Sequence, residues 1–249
     1  AVYLNSKLAA LSNGAVLFNT QHSNNALVGY MYGDLNGTTF DTTHKNEISS
    51  TVKIYIDTFY EEYLISYQEY LADALFCGDK TGGGSASSTT INFGAYKRLS
   101  YSSSVTPTLE CAKGESNTYS RYTANSTTTT KGVNVNNDLD YPIALLSADE
   151  LVMAGAYGKT LTEINDDYYL ADGYNYKTPT LSGSWWTMSP YRFSGGYATL
   201  YYSSSNSSLS YKYASSNYLV RPVINLKSTV EVKEGNGTYD TPYEIKEIS

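Results

Sequence analysis

The sequence predicts an α+β fold in which one long amphipathic helix packs on an antiparallel sheet, and two patterns carry that prediction. From about Ser49 to Leu75, the residues Val52, Ile56, Phe59, Tyr63, Tyr67, Tyr70 and Ala74 recur at three- and four-residue steps, while Lys53, Asp57, Glu61, Gln68 and Asp73 mark other faces. From Ser184 onward the chain instead breaks into short β-prone segments separated by Gly, Ser and Asn turns. A helix followed by such a meander gives a mixed arrangement. At 249 residues the chain is long enough to bury a substantial apolar core. We read one domain over 1–249, with a helix-containing part at 1–100, a Ser/Thr-rich loop at 101–140 and a sheet part at 141–249.

Residues 3–12 read as a short helix closed by Asn13-Gly14, a pair that supplies a left-handed cap. AVLFN and ALVGYMY are strand candidates ahead of the DLNGTT turn. The long helix follows, its aromatic stripe spaced for packing and not for a cofactor. Cys77 lies just past its end. INFGAYKRLS reads as strand, and the stretch 101–140, dominated by Ser, Thr and Asn, reads as loop with a few extended pieces. YPIALL is a buried-strand candidate. Ser147 and Glu150 form a capping box for a helix over Ala148–Ala154 that stops at Gly155, which makes Glu150 a cap before it is an acid catalyst. SWWTMSP, GYATLYYS, LSYKYA, NYLVRPVINL, VEVK and PYEIKEI are the remaining strands.

Only 16% of the residues are charged, whereas Tyr alone supplies 27, so hydroxyls and amides replace ions at the surface. A formal charge of -7 with scattered Lys and Arg argues against a nucleic-acid groove. The two cysteines, Cys77 and Cys111, form no CxxC pair, and with only His22 and His44 present no Cys/His metal site assembles. A Cys77–Cys111 disulfide in an oxidising compartment and two unrelated buried thiols are both open readings. No apolar run is long enough for a membrane span. The start AVYLNSKLAALSNG is interrupted by Asn5, Lys7 and Asn13 and does not read as a signal peptide, and YEIKEIS carries no sorting signal. A secreted protein would then have its targeting segment removed or lying outside these residues.

The blocks CGDK, YPIALLSADELVMAG, WWTMSP, VRPVINL and EGNGTYDTPYEI, in that order from about Val28 to Ile245, resemble a family of extracellular proteins of gut Firmicutes that has no settled biochemical activity. The C-terminal part is similar to C-type-lectin-like folds of the kind shared with formylglycine-generating enzymes. In those folds a W-x-x-S-like strand and an RPV-like strand lie in the central sheet. The corresponding residues here are Trp186-Thr187-Met188-Ser189 and Arg221-Pro222-Val223. The reactive cysteine pair of those enzymes has no counterpart, because neither Cys77 nor Cys111 lies in this region, so the resemblance implies a scaffold without oxidation chemistry. Some members look like type IV pilin-like proteins with an apolar N-terminal helix, and YLNSKLAALS reads as the end of one.

No GxGxxG after a strand, GxxxxGK[ST], HExxH or GxSxG is present, and adjacent pairs such as Glu61/Glu62 or Asp166/Asp167 diverge. Asp166, Asp167 and Asp172 with Asn165 and Asn175 make an oxygen-rich patch that reads as a solvated loop, although its spacing admits a hard cation. Arg221 reads as a structural arginine supported by an acid. The segment 185–213 is the expected recognition face, with Trp185, Tyr191, Tyr197, Tyr201, Tyr202, Tyr211 and Tyr213 interleaved with Ser and Asn. Strand alternation sends about half of these rings inward, so at most one of Tyr201 and Tyr202 is expected at the surface. The functional expectation is a non-catalytic, secreted or cell-surface binding module, adhesin-like, that recognises a host or bacterial glycan or protein. The alternative is a pilin-like structural subunit that pairs with copies of itself in a filament. No cofactor, metal or nucleic acid is expected.

Overall fold

The computed structural model describes residues 14–82, 87–101, 105–120, 129–130, 133–134, 138–153, 157–158, 183–204, 208–235 and 243–246. The helix expected at 3–12 and the acidic patch at 165–175 lie outside the described residues.

In chain order, β1 (Val16–Leu17), a 3-10 turn at Asn25–Val28, β2 (Met31–Tyr32), α1 (Phe40–His44) and β3 (Ile48–Ser49) lead into α2 (Thr51–Tyr63). A 3-10 segment at Ile65–Tyr70, β4 (Phe76–Cys77), β5 (Thr90–Asn92), a single helical turn α3 (Gly94–Tyr96) and a π turn at Lys97–Tyr101 follow. Next come β6 (Thr118–Tyr119), β7 (Thr129–Thr130), β8 (Val133–Asn134), β9 (Ile143–Leu145), α4 (Ala148–Met153) and β10 (Tyr157–Gly158). The chain ends with β11 (Trp185–Ser194), β12 (Tyr197–Ser203), β13 (Ser208–Tyr213), β14 (Asn217–Tyr218), β15 (Pro222–Ile224), β16 (Val232–Glu234) and β17 (Glu244–Ile245). The architecture is a mixed α/β fold of short helices and mainly antiparallel sheets.

The long helix expected over 49–75 is two elements. Ser50 caps α2 by accepting from the Lys53 N–H, and the helical ladder closes with the Leu64 N–H on the Tyr60 carbonyl at 2.8 Å. The chain then tightens into 3-10 geometry, whose three-residue turn rotates the periodic stripe away from the core. Leu64, Tyr70 and Leu71 go inside, and Tyr63 and Tyr67, assigned to the buried face by periodicity, are exposed. The buried face of α2 is Val52, Ile56, Phe59 and Tyr60, set against β1 and β9 in one core with Trp186 and Met188. Lys53, expected on a polar face, is wholly buried and binds Asp57 at 2.6 Å and Asp140 at 2.8 Å.

Local chemistry also overrides propensity in INFGAYKRLS and ALVGYMY. Only Thr90–Asn92 is strand in the first, after which Gly94 opens a turn closed by the Lys97 N–H on the Phe93 carbonyl at 3.1 Å. In the second, Asn24 caps the 3-10 turn through the Ala26 N–H at 2.9 Å. The capping box of α4 forms as read: Glu150 accepts from the Ser147 N–H at 2.7 Å and Ser147 from the Glu150 N–H at 3.1 Å.

The central sheet has the order β10-β13-β12-β11-β5, antiparallel except for the β10–β13 pair. Gly195 and Gly196, both at positive φ (59° and 83°), make the tight β11–β12 turn. One face of the sheet joins the main core through Trp186, Phe193 and Leu200. The other carries a second core in which Trp185, Tyr191, Tyr201 and Leu209 meet Ala95 and Leu99 after β5 and Ala148, Leu151 and Val152 of α4. Pro190 has no N–H to give, and the β11–β12 register shifts on both sides of it. The RPV strand stands apart from this sheet: β15 pairs with β9 in a two-stranded ladder, so it is not in the central sheet as the lectin-like resemblance implies.

Cys77 and Cys111 are joined, with Cα atoms 4.9 Å apart, which excludes the reading of two unrelated thiols. The bond ties the end of β4 to the segment leading into β6, its antiparallel partner.

Candidate binding surface

Burial of the central sheet on both faces decides which of the expected recognition residues reach solvent. Trp185 and Tyr201 are 1% and 2% exposed, and Tyr191 is also buried. Trp185 and Tyr201 are therefore interior residues, because α4 and the α3 turn cover the sheet face on which they lie. Tyr201 donates to or accepts from the Ser100 hydroxyl at 2.7 Å, and burial pushes its phenol well above the usual tyrosine range. Tyr202 is half-buried, stacked on Tyr218 with centroids 4.3 Å apart. Arg221 is half-buried with its guanidinium 4.7 Å from the Trp185 ring centre.

Three of the expected rings remain at the surface: Tyr197 (46% exposed), Tyr211 (50%) and Tyr213 (42%). They sit where the β11–β12–β13 sheet extends past its helical cover. Cross-strand register places Arg192, Thr199 and Tyr213 in one row and Tyr201 beside Tyr211 in the next, all on one face. Tyr191 is the extra residue of the β11 bulge between the Pro190 and Arg192 pairs, and its ring lies parallel to Tyr211 with centroids 4.0 Å apart. Tyr191 also meets Tyr201 and Tyr96 edge-on at 4.9 Å and 4.8 Å, so the exposed Tyr211 ring rests on a packed aromatic base. Burial, then the neighbouring Tyr211, raises the Tyr191 phenol, which stays neutral.

His22, read only as one of two histidines too few for a metal site, completes the row. Its ring stacks on Tyr197 at 5.3 Å and on Tyr213 at 5.2 Å, and Nδ1 is 2.5 Å from the Ser215 hydroxyl. The loop carrying it is fastened to the hairpin by the Ala198 N–H, which donates to the His22 carbonyl at 2.7 Å. Nothing near His22 in the sequence signals this contact, because its partners are supplied by strands much later in the chain. Beside the row, Thr199, Tyr202, Ser210, Tyr211, Lys212 and Tyr213 line an open hollow of about 380 Å³. Arg192, whose guanidinium lies 5.8 Å from the Tyr96 ring centre, brings positive charge to the same face of an otherwise acidic chain, whereas Lys212 pairs with Leu200 and leaves β13 on the opposite face.

Such a surface offers flat rings held in fixed orientations, hydroxyl donors and acceptors, and a cation. Among the described residues no group of three or more His, Cys, Asp or Glu is placed to hold a metal ion, and no helix is long and apolar enough to cross a membrane. Fold and site together define a mixed α/β protein with an aromatic surface patch. Residues 115–228 match the family model described as a domain of unknown function (DUF6273), a segment that runs from just before β6 through β15 and contains the whole β11–β13 hairpin unit. No curated protein and no solved structure matches the chain.

Proposed function

We propose that this chain is a non-catalytic binding module, one domain acting outside the cell or on its surface, and that it recognises a glycan through the row formed by Tyr197, Tyr213 and Tyr211. The observation that carries this reading is the exposure of these three rings on a packed aromatic base beside an open hollow of mixed polar and apolar lining. Sugar rings present apolar C–H faces that stack on tyrosine, and their hydroxyls suit Thr199, Ser210 and Lys212 at the rim. The rings are already oriented by stacking, so little ordering entropy opposes binding. The Cys77–Cys111 bond supports an oxidising compartment. The lectin-like architecture implied by the Trp186–Ser189 strand of the central sheet belongs to the same proposal, with Arg221–Val223 standing outside that sheet.

The test pairs binding with unfolding. Wild-type protein is applied to a glycan array and a surface-protein array, and the hits are repeated with Tyr211→Ala, Tyr213→Ala and Tyr201→Ala. Loss of an exposed ring should weaken a glycan hit by at least about 1 kcal/mol, roughly fivefold, with little change in stability. Loss of buried Tyr201 should destabilise the fold by about 3–5 kcal/mol. A glycan hit that survives both surface substitutions moves the site elsewhere. Binding to protein alone replaces the ligand class. Concentration-dependent assembly abolished by Tyr211→Ala, without any array hit, favours the filament-subunit alternative.

A further inference from the structure

Among the described residues two lysines are buried, Lys53 and Lys80, and their surroundings differ in kind. Lys53 faces the carboxylates of Asp57 and Asp140, as a buried ammonium requires. Lys80, 1% exposed, has three neutral oxygen acceptors: the Met31 carbonyl at 2.9 Å, the His44 carbonyl at 2.5 Å and the side-chain oxygen Oδ1 of Asn46 at 2.7 Å. Its Nζ also lies 5.6 Å from the centre of the buried Tyr119 ring. Asp79, at φ 40°, turns the chain so that Lys80 enters this pocket, and its carboxylate accepts from the Thr81 hydroxyl and N–H beyond it.

The Asn46 carboxamide is held from its other side as well. Its Nδ2 donates to the Thr118 carbonyl at 2.9 Å and to Asp138 Oδ2 at 2.8 Å. An amine, a carboxamide and a carboxylate are thus aligned in that order, drawn from the CGDK segment, the α1–β3 connection and the approach to β9. We propose that Lys80 and Asn46 become joined by an intramolecular amide bond that the folded chain forms itself, with Asp138 as the proton carrier.

The hydrogen bonds set up the reaction. In the neutral amine two N–H groups stay on the Met31 and His44 carbonyls, and the lone pair takes the third direction, toward Asn46. The amide carbon is one bond of about 1.23 Å beyond Oδ1, so it lies within about 4 Å of Nζ, close to a near-attack distance. Burial lowers the Lys80 amine from its usual range to about 7, with Asp138 acting in the opposite direction, so the nucleophilic form is populated at neutral pH. Nζ attacks Cγ and the carbonyl electron pair moves onto Oδ1. Once bonded to Cγ, Nζ lies beside Nδ2 on the same carbon, so one of its protons leaves its backbone carbonyl for the Asp138 carboxylate that already holds Nδ2 at 2.8 Å, and Asp138 delivers it to Nδ2. The pair then returns, the Cγ–Nδ2 bond breaks and Nδ2 leaves as ammonia. One C–N bond forms, one breaks and no redox partner is needed. The amide N–H that remains can stay on one of the two backbone carbonyls. Burial of Lys80 beside the Tyr119 ring keeps out the water that would compete as nucleophile.

The test is the intact mass of the reduced, denatured 249-residue chain followed by peptide mapping. Wild type should be lighter than its sequence mass by one ammonia, about 17 Da, and should yield a branched peptide joining residue 46 to residue 80. Lys80→Arg, which keeps a buried hydrogen-bonding cation but cannot make this bond, should show the full mass. Asp138→Asn should show the full mass or form the bond more slowly. Full mass in folded wild type overturns the proposal, as does an ammonia loss that maps to an Asn-Gly succinimide such as Asn36-Gly37 or that persists in Lys80→Arg. Bond formation in Asp138→Asn at the wild-type rate overturns the role of Asp138.

Discussion

Reducing the Cys77–Cys111 bond should cost this protein about 4 kcal/mol of stability, because the bond closes a loop with a sequence separation of 34 and restricts the unfolded chain accordingly. Beyond the bond, the segments it joins are held by a ladder of two residue pairs, Phe76 with Tyr119 and Cys77 with Thr118, and by the Gly78 and Asp79 N–H groups on the Asn117 carbonyl at 2.9 Å and 3.2 Å. Both cysteines are partly exposed and accessible to reductant. For a chain of this size the loss corresponds to a fall in Tm of about 8–16 °C. The assay is thermal unfolding followed by far-UV circular dichroism for the oxidised protein, the protein in excess reductant, and the Cys77→Ser/Cys111→Ser variant. The last two should coincide. A reduced protein melting within about 2 °C of the oxidised form would refute the chain-entropy reasoning, and would mean that the β4–β6 region is already constrained when unfolded.

Stability should also fall as pH drops from 6.5 to about 4, because burial depresses His44 to about 4 despite its hydrogen bond to the Phe40 carbonyl. In that window the unfolded chain binds a proton that the folded chain rejects, so stability is full above 6.5 and the loss reaches about 3 kcal/mol by pH 4. Urea titrations of wild type and His44→Gln across this range should show the variant's dependence flattened, and parallel curves would remove His44 as the cause. Arg98→Ala should destabilise the fold by about 3 kcal/mol, since Arg98 binds both oxygens of buried Asp149 at 2.9 Å and 2.8 Å and buried Asp79 at 2.5 Å. Arg98→Lys should recover little, because an ammonium cannot reproduce the forked contact. A loss below about 1 kcal/mol in urea denaturation would show that water satisfies both acids.

Features with short-range causes were legible in the sequence. The Ser147/Glu150 capping box needs only three residues of spacing, and it appears as read. The segment YPIALL announced a buried strand because three consecutive apolar residues, Ile143–Leu145, fit a site covered on both sides. The hairpin where a recognition face was expected does carry exposed rings, Tyr197, Tyr211 and Tyr213, but which rings would reach solvent was not readable. Alternation predicts direction along a strand and says nothing about what covers each face, so Trp185 and Tyr201 were assigned to a surface that α4 and the α3 turn occupy. The bulge at Pro190 then re-aimed Tyr191 beneath Tyr211. Helix periodicity failed at Leu64 for a related reason: burial of Leu64 and Leu71 accompanies a switch to 3-10 geometry that no local pattern marks.

The sequence by itself determined the class of elements, the absence of familiar nucleotide and hydrolase motifs, the surface chemistry of hydroxyls and aromatic rings, and the pair of cysteines available for bonding. These follow from composition and from spacings of a few residues, which local sterics and hydrogen bonding translate directly into structure. Only the tertiary structure decided that both faces of the sheet are covered, that His22 stacks between Tyr197 and Tyr213, and that Lys80, Asn46 and Asp138 line up in one pocket. Each of those arrangements joins residues far apart in the chain. Their meeting is set by how the whole core packs, and no local periodicity encodes it.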